Sequence, residues 1–385
     1  MVTTPIYLDY QATTPMDERV LDAMMPYLTS KFGNPHSSTH RFGWEAEAAL
    51  DIAREQVAEV IGADAGEIYF TSGATEANNL ALNGIMDVWG RKKPHLVTVV
   101  TEHKCVLEAA KAVERAGYRV TYLPVRPNGL IDLDQLAEAV TDETALVSVM
   151  AVNNEIGVIQ PMADIGAICR AKGALFHTDA AQGFGKITLD VNAMNIDLMS
   201  ISGHKIYGPK GVGALYKRSG RQTALTPQMS GGGQEGGIRS GTQAPALVAG
   251  LGAAASICKA EMAQEKDRLA HIMNRFKSKL FKELPSLLVN GDEEMRWAGN
   301  LNLSFPGLDG DLLLANIRSL AVSSGAACAS AVSGPSYVLQ AIGRTEALSK
   351  SALRIGIGRF TGDDEIDFAA ETLISAVREM GGLKS

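Results

Sequence analysis

The 385-residue chain has no block of basic residues, no close pair of cysteines and no apolar run long enough to span a bilayer. Each absence removes a class of function. The formal net charge is −7, so nucleic acid is not expected as a partner. Cys105, Cys169, Cys258 and Cys328 lie too far apart in sequence for a CxxC or a zinc motif. Met1-Val2-Thr3-Thr4-Pro5 shows no basic region leading into an apolar core. A reduced, cytoplasmic protein without a signal peptide is therefore expected. The longest run of apolar and small residues, Ala246–Ile257, contains two glycines and predicts a buried helix, with no membrane partner. There is no internal repeat and no low-complexity segment. No Gly-x-Gly-x-x-Gly opens the sheet, and no Walker lysine follows Gly73, which argues against nicotinamide and P-loop chemistry.

What is present is an alternation of strands and helices. Strands are predicted at Glu67–Thr71, His95–Val100, Val120–Pro124, Ala145–Val152, Ala174–Asp179, Leu198–Ser202 and Gly213–Lys217, with helices between most of them. Seven strands with helical crossovers predict an α/β fold with a mainly parallel sheet flanked by helices. Gly213 follows Ile201 too closely for a crossover helix, so the last strand should run antiparallel. Upstream, helices are predicted over Asp17–Leu28 and Trp44–Ile61, the second ending at Gly62. Downstream, two helices are expected at Ala244–Lys259 and Glu261–Leu284. Strands at Asn300–Phe305 and Leu353–Ile357 then mix with helices in an α+β pattern. The expected division is a large domain, residues 15–258, and a small domain, residues 1–14 and 259–385.

Chemically capable residues fall where strands end, the position at which ligands sit in parallel α/β sheets. Ser202-Gly203-His204-Lys205 follows a buried strand. A lysine partly desolvated there tends toward the neutral amine that forms Schiff bases. Taken alone, such a lysine is more often an inert loop residue. Thr71-Ser72-Gly73-Ala74-Thr75-Glu76 reads equally as an anion site at a helix N-terminus or as a plain capping box. Asp179 suits a carboxylate paired with a protonated ring nitrogen, although an ordinary N-cap is the commoner role. His103 suits stacking on a ring or moving protons, although a satisfied loop histidine is commoner, and Asn154 suits a hydrogen bond to a ring hydroxyl or merely a turn. Together these groups describe a pyridoxal phosphate enzyme better than a nicotinamide enzyme.

Two further stretches stand out. Ser230–Gly241 is glycine-rich and reads as a linker or as a loop that closely approaches a ligand or a second subunit. Val322–Ala331 places Cys328 in a run of small residues closed by Gly334-Pro335. With no large apolar neighbour, this run predicts a mobile loop with an accessible thiol, suited to a nucleophile.

With these residues in view, the chain resembles the cysteine desulfurases of the NifS/IscS type, within the fold-type I pyridoxal phosphate enzymes. The likeness covers nearly the whole chain. It rests on Tyr7-Leu8-Asp9-Tyr10, Phe32-Gly33-Asn34-Pro35, Thr71 through Glu76, Thr101-Glu102-His103-Lys104, Asn153-Asn154-Glu155, Ser202 through Lys205, Arg239-Ser240-Gly241-Thr242, and Ser323 through Cys328. The resemblance implies a fold-type I PLP-dependent transferase with pyridoxal 5'-phosphate as cofactor. It implies L-cysteine as substrate, L-alanine as product and a persulfide on Cys328. Lys205 is implied as the Schiff-base lysine and His103 as the stacked, proton-handling residue. Ala74, Thr75, Ser202 and His204 are implied to hold the phosphate, joined by Thr242 from the partner of a homodimer. Asp179 is implied at the pyridine nitrogen, Gln182 and Asn154 at the ring oxygen, and Arg354 with Asn34 and Asn154 at the substrate.

The resemblance further implies a sulfur-acceptor protein, such as an iron–sulfur scaffold or a tRNA-thiolation enzyme. No intrinsic metal is expected, Cys328 meeting an iron–sulfur cluster only during transfer. Alternatives are selenocysteine cleavage or transamination on the same fold, or a non-catalytic binding platform. An aminotransferase has no need of Cys328, and the long stretch Ala329–Pro335 argues against the selenocysteine-lyase-like branch. Departures from the family pattern fall at Gln11, Ala326, Ala329 and Gly356, none of which coincides with a residue given a role above.

Overall fold

The computed structural model describes residues 2–324 and 334–381. Ala326, Cys328 and Ala329 lie outside the described residues. A short strand β1 (Ile6–Tyr7) and two helices, α1 (Glu18–Leu28) and α2 (Arg41–Ile61), come first. Asp17 caps α1 through a bond from the Arg19 N–H, and Gly62 ends α2 at φ +68, the left-handed conformation that a glycine adopts without strain. The alternating stretch follows: β2 (Ile68–Thr71), α3 (Ala74–Trp89), β3 (His95–Val99), α4 (Lys104–Arg115), β4 (Arg119–Leu123), α5 (Leu133–Ala139), β5 (Thr144–Ser148), α6 (Met162–Lys172), β6 (Leu175–Asp179), β7 (Leu198–Ser202) and β8 (Gly213–Lys217).

These strands form one sheet in the order β2-β8-β7-β6-β5-β3-β4. β3, β5 and β7 are buried along their whole length, as apolar runs covered on both faces must be. β8 runs antiparallel to both β2 and β7, and the other pairs are parallel. Two buried histidines tie the sheet together. His95 lies 2.9 Å from both Thr144 Oγ1 and Thr121 Oγ1, and His177 bridges Ser148 Oγ at 2.8 Å and Ser200 Oγ at 3.0 Å. The strand direction brings the carboxyl ends of β2, β3, β5, β6 and β7 to one rim.

The C-terminal part comprises α7 (Pro245–Glu283), β9 (Leu288–Val289), β10 (Asn300–Ser304), α8 (Gly310–Asn316), β11 (Leu320–Ala321), β12 (Ser323–Ser324), α9 (Tyr337–Ala341), α10 (Glu346–Lys350), β13 (Ala352–Gly356) and α11 (Asp363–Glu379). The two helices expected over 244–284 are a single helix of 39 residues. No glycine or proline stands between Lys259 and Glu261, so nothing stops the first helix. The 258/259 division lies inside it. By length and composition α7 could cross a membrane, contrary to the reading of its apolar run as too short. In the fold, Val248, Leu251, Ala254 and Ala255 of that half are buried. A Cβ on Gly252 would meet the Ala53 Cα at 2.6 Å, so this glycine permits the close approach of α7 to α2.

The smaller sheet is antiparallel, in the order β12-β13-β10-β9, and pairs Arg354 with Asn302 on one side and Ser323 on the other. β1 pairs parallel with β11, which carries the N-terminal arm onto the C-terminal part of the chain.

Candidate active site

One cavity of about 580 Å³ opens at the rim where the parallel strands end. Asp179, the last residue of β6, lies in its wall. Its Oδ2 accepts from Asn78 Nδ2 at 2.8 Å and its Oδ1 from the Ala181 N–H at 2.9 Å. His103 caps α4 beside it, with Nδ1 accepting from the Cys105 N–H at 3.3 Å and lying 3.0 Å from Cys105 Sγ. Burial pushes the Cys105 thiol up to about 12, with the Asp179 charge adding to the effect. The thiol therefore keeps its proton and can donate it to Nδ1, which leaves the imidazole proton on Nε2. Burial, reinforced by Lys205 and Lys104, lowers His103 below the usual imidazole value, while Asp179 pulls it back upward. Glu102 is fully buried; desolvation and then Asp179 raise its carboxyl well above the carboxylate range, and it accepts from the Met150 N–H at 2.6 Å.

Lys205 ends a single 3-10 turn after β7 and lines the same cavity. Its Nζ donates to the carbonyls of Gln11 at 2.6 Å and Ala12 at 2.7 Å. The N-terminal arm thus lies directly over the lysine turn. Thr13 Oγ1 is 3.0 Å from His204 Nδ1, and Thr14 Oγ1 donates to the His204 carbonyl at 3.1 Å. Burial, with the charges of Lys205, Lys210 and Lys186, lowers His204 to about 4, so it is neutral at ordinary pH. The Gln11 carbonyl also accepts from Gln182 Nε2 at 2.8 Å.

The third wall is the start of α3. Gly73 is its N-cap, with φ +149 and no side-chain capping bond. Of the two readings of this stretch, the plain capping box is not formed, because the N-cap is a glycine with no side chain, and Glu76 serves other groups. It accepts from the Ser72 N–H at 2.8 Å and pairs with Arg239 at 2.7 Å. The first-turn N–H groups of Ala74 and Thr75 stay available at the positive end of the helix, next to Ser202 and His204. Among the described residues, no cluster of His, Cys, Asp and Glu could hold a metal.

The cavity therefore brings together Ala74, Thr75, His103, Asn154, Asp179, Gln182, Ser202, His204 and Lys205. Asn154 Oδ1 is buried there without a hydrogen-bond partner. Three expected residues stand apart. Arg354 is buried behind the wall, its Nη1 donating to the Asn154 carbonyl at 3.1 Å and its Nη2 paired with Asp9 at 2.8 Å. Asn34 is exposed and accepts from the His36 N–H, and Thr242 is exposed on its own surface. Cys328 lies outside the described residues. Arg359, five residues past Arg354, is bound by Asp17 and Glu265 and stacks on Tyr207 at 4.1 Å, a structural role.

Sequence reasoning missed Gln11, Asn78 and Cys105. It also treated Gln11 and Gly356 as unrelated to any role. The Gln11 carbonyl binds Lys205, and a Cβ on Gly356 would sit 1.8 Å from Gln11 Oε1. The two departures are one pair, since the longer side chain at 11 occupies space that glycine leaves at 356. The one available signal was Asn78, a polar residue amid the apolar spacing of α3.

A family model described as aminotransferase class-V matches residues 6–368. The cysteine desulfurase IscS of Rickettsia rickettsii (strain Iowa) is 56% identical over 382 residues, 99% of this chain and 93% of that protein. The chain belongs to the cysteine desulfurases of the aminotransferase class-V family. IscS of Rickettsia bellii (strain OSU 85-389) is likewise 56% identical, over 98% of this chain and 92% of its own length. Among solved structures, a NifS-like protein matches the desulfurase with a TM-score of 0.90 and 34% identity, covering 97% of this chain and 99% of that one. SspA in complex with cysteine matches with a TM-score of 0.83 and 38% identity, covering 94% and 100%. The desulfurase is a pyridoxal phosphate-dependent enzyme. Its cavity fits that cofactor: an uncapped helix N-terminus suits the phosphate, Asp179 a ring nitrogen, Lys205 an aldehyde and the orphaned Asn154 oxygen a polar group of the ligand.

Proposed function

We propose that this desulfurase takes the sulfur of L-cysteine onto Cys328 as a persulfide, and that the residues of the cavity divide the work. Pyridoxal phosphate, when bound, supplies an electron sink for charge released at the substrate Cα. Lys205 holds its aldehyde, and Ala74, Thr75, Ser202 and His204 hold its phosphate. Asp179, fixed by Asn78 and the Ala181 N–H, keeps the ring nitrogen protonated. Gln182 and Asn154 meet the ring oxygen. His103 presents Nε2 to the cavity and moves a proton there. Arg354, with Asn34 and Asn154, orients the substrate carboxylate, a role that requires Arg354 and Asn34, both outside the cavity lining here, to come to the substrate.

Cys328 acts as a thiolate. A bond forms between its Sγ and the substrate sulfur as the substrate's C–S bond breaks. The electron pair stays on carbon, which takes a proton and leaves as L-alanine. The observation that carries this reading is the convergence of Lys205, Asp179 and the uncapped α3 N-terminus on one cavity.

The same reading makes the enzyme a cytoplasmic homodimer in which the partner's Thr242 reaches the phosphate, consistent with the exposure of Thr242 on its own chain. The large domain, residues 15–258, carries the cofactor, and residues 1–14 and 259–385 form the smaller domain. The persulfide sulfur passes to an acceptor for iron–sulfur cluster assembly or tRNA thiolation. Mass spectrometry after incubation with L-cysteine should place one added sulfur on the peptide containing Cys328. Cys328→Ala should abolish sulfide release and keep the visible absorbance of the bound cofactor. Sulfide release at the parent rate from that variant would refute the persulfide route.

A further inference from the structure

Behind the cavity wall lies a buried cation that the proposed chemistry leaves unused. Lys186 is 7% exposed, and its Nζ donates to Gln182 Oε1 at 3.0 Å. Among the described residues, it forms no ion pair with a carboxylate. Glu265 on α7 faces it but is committed to Arg359 and to the Tyr207 hydroxyl. Lys205 and Cys258 are the other titratable neighbours. A buried ammonium without a counter-ion is costly and is rarely kept for stability alone.

We propose that Lys186 is a positioning residue that sets which way the Gln182 amide faces. An ammonium only donates, so the amide must turn Oε1 toward Lys186. Nε2, with its two protons, then faces the cavity side. One proton goes to the Gln11 carbonyl at 2.8 Å, the same oxygen that receives Lys205 Nζ at 2.6 Å. The second is left for a ligand oxygen. Lys186, Gln182, Gln11 and Lys205 thus form one chain of hydrogen bonds from the protein interior to the reactive amine. Burial and the Lys205 charge lower Lys186 to about 7. The lock is firm while Lys186 is an ammonium and loosens when it is a neutral amine, which can also accept.

This inference rests on the proposed roles of Lys205 and Gln182. It is tested on the holoenzyme by the pH midpoint of the bound cofactor's visible absorbance, with L-cysteine absent. Lys186→Met should retain the absorbance and raise the midpoint by about one unit, because a nearby charge and a directed donor are both lost. Gln182→Leu should also raise it. Adding Lys186→Met to Gln182→Leu should then shift the midpoint by less than about half as much as in the parent, since the two act through one contact. An unchanged midpoint in Lys186→Met, or an equal shift in both backgrounds, overturns the positioning role. If Lys186→Met fails to fold, Lys186→Gln serves, because its amide both donates and accepts and so removes the lock. A parent enzyme whose visible absorbance survives Lys205→Ala would instead sink the reading of the cavity itself.

Discussion

Asp179 and Ser202 stand at the ends of their strands in the seven-stranded sheet, whereas Arg354 stands in the middle of β13 in the four-stranded one. The difference decides how each group is held. At a strand end, turn N–H groups and a helix start lie close in sequence. Asp179 accepts from Ala181, two residues away, and needs only Asn78 from elsewhere. In mid-strand the backbone is spent on pairing, so Arg354 depends on distant side chains. Its partners include Asp9, 345 residues away, Ser323 and the Asn154 carbonyl. The larger sheet presents reactive groups by topology. The smaller one presents its guanidinium through the N-terminal arm, which also lies over Lys205.

The largest effect expected at the strand-end site is that of Lys205→Ala. It should lower desulfurase turnover by about a thousandfold or more and abolish the visible absorbance of the bound cofactor. An intact absorbance would remove the basis of the comparison. Next comes the acid stability of the large sheet. His177 is fully buried, and its burial holds it at about 3. Between that value and the ordinary 6.5, the unfolded chain binds the extra proton. Stability should therefore fall as pH drops below 6.5, by about 1.4 kcal/mol per pH unit for this group. His95, lowered to about 4 chiefly by burial, acts in the same direction. Denaturant unfolding across pH 4–7 checks this, and His177→Asn should flatten the slope.

At the mid-strand site, Arg354→Lys keeps the charge but loses the planar fork. The KM for L-cysteine should rise about thirtyfold with the fold intact, as steady-state kinetics would show. An unchanged KM would leave Arg354 as a tie between β13 and the arm. The smallest effect tests that tie directly. Gly356→Ala should cost about 1.5 kcal/mol of stability, because the new methyl meets Gln11 Oε1. In a Gln11→Ala background the cost should largely disappear, and thermal melts of the four proteins would show whether it does.

Much of the site was legible because strand ends carry local signals. Apolar runs ending in Asp179 or followed by Gly203-His204-Lys205 locate a strand and its turn together. Gln11 carried no such signal, since its contribution to Lys205 is a backbone carbonyl that any residue possesses. Cys105 and Lys186 looked like ordinary helix and loop residues. Their importance comes from neighbours on other elements: Asn78 and His103 for the thiol, and Gln182 for the amine. The break predicted near Lys259 failed for a different reason. A change from apolar to charged composition alters what a helix faces without stopping it.

The linear order of residues by itself determined the strand–helix alternation, the antiparallel turn of β8 and the placement of Lys205, Asp179 and Ala74–Thr75 at element ends. These depend on periodicity, on link length and on turn residues, all of which act over a few positions. Only the tertiary structure decided which carbonyls receive the Lys205 amine, which partner holds Arg354, and that Gln11 and Gly356 share one space. Those outcomes depend on contacts between residues up to hundreds of positions apart, and close packing, not local preference, selects them.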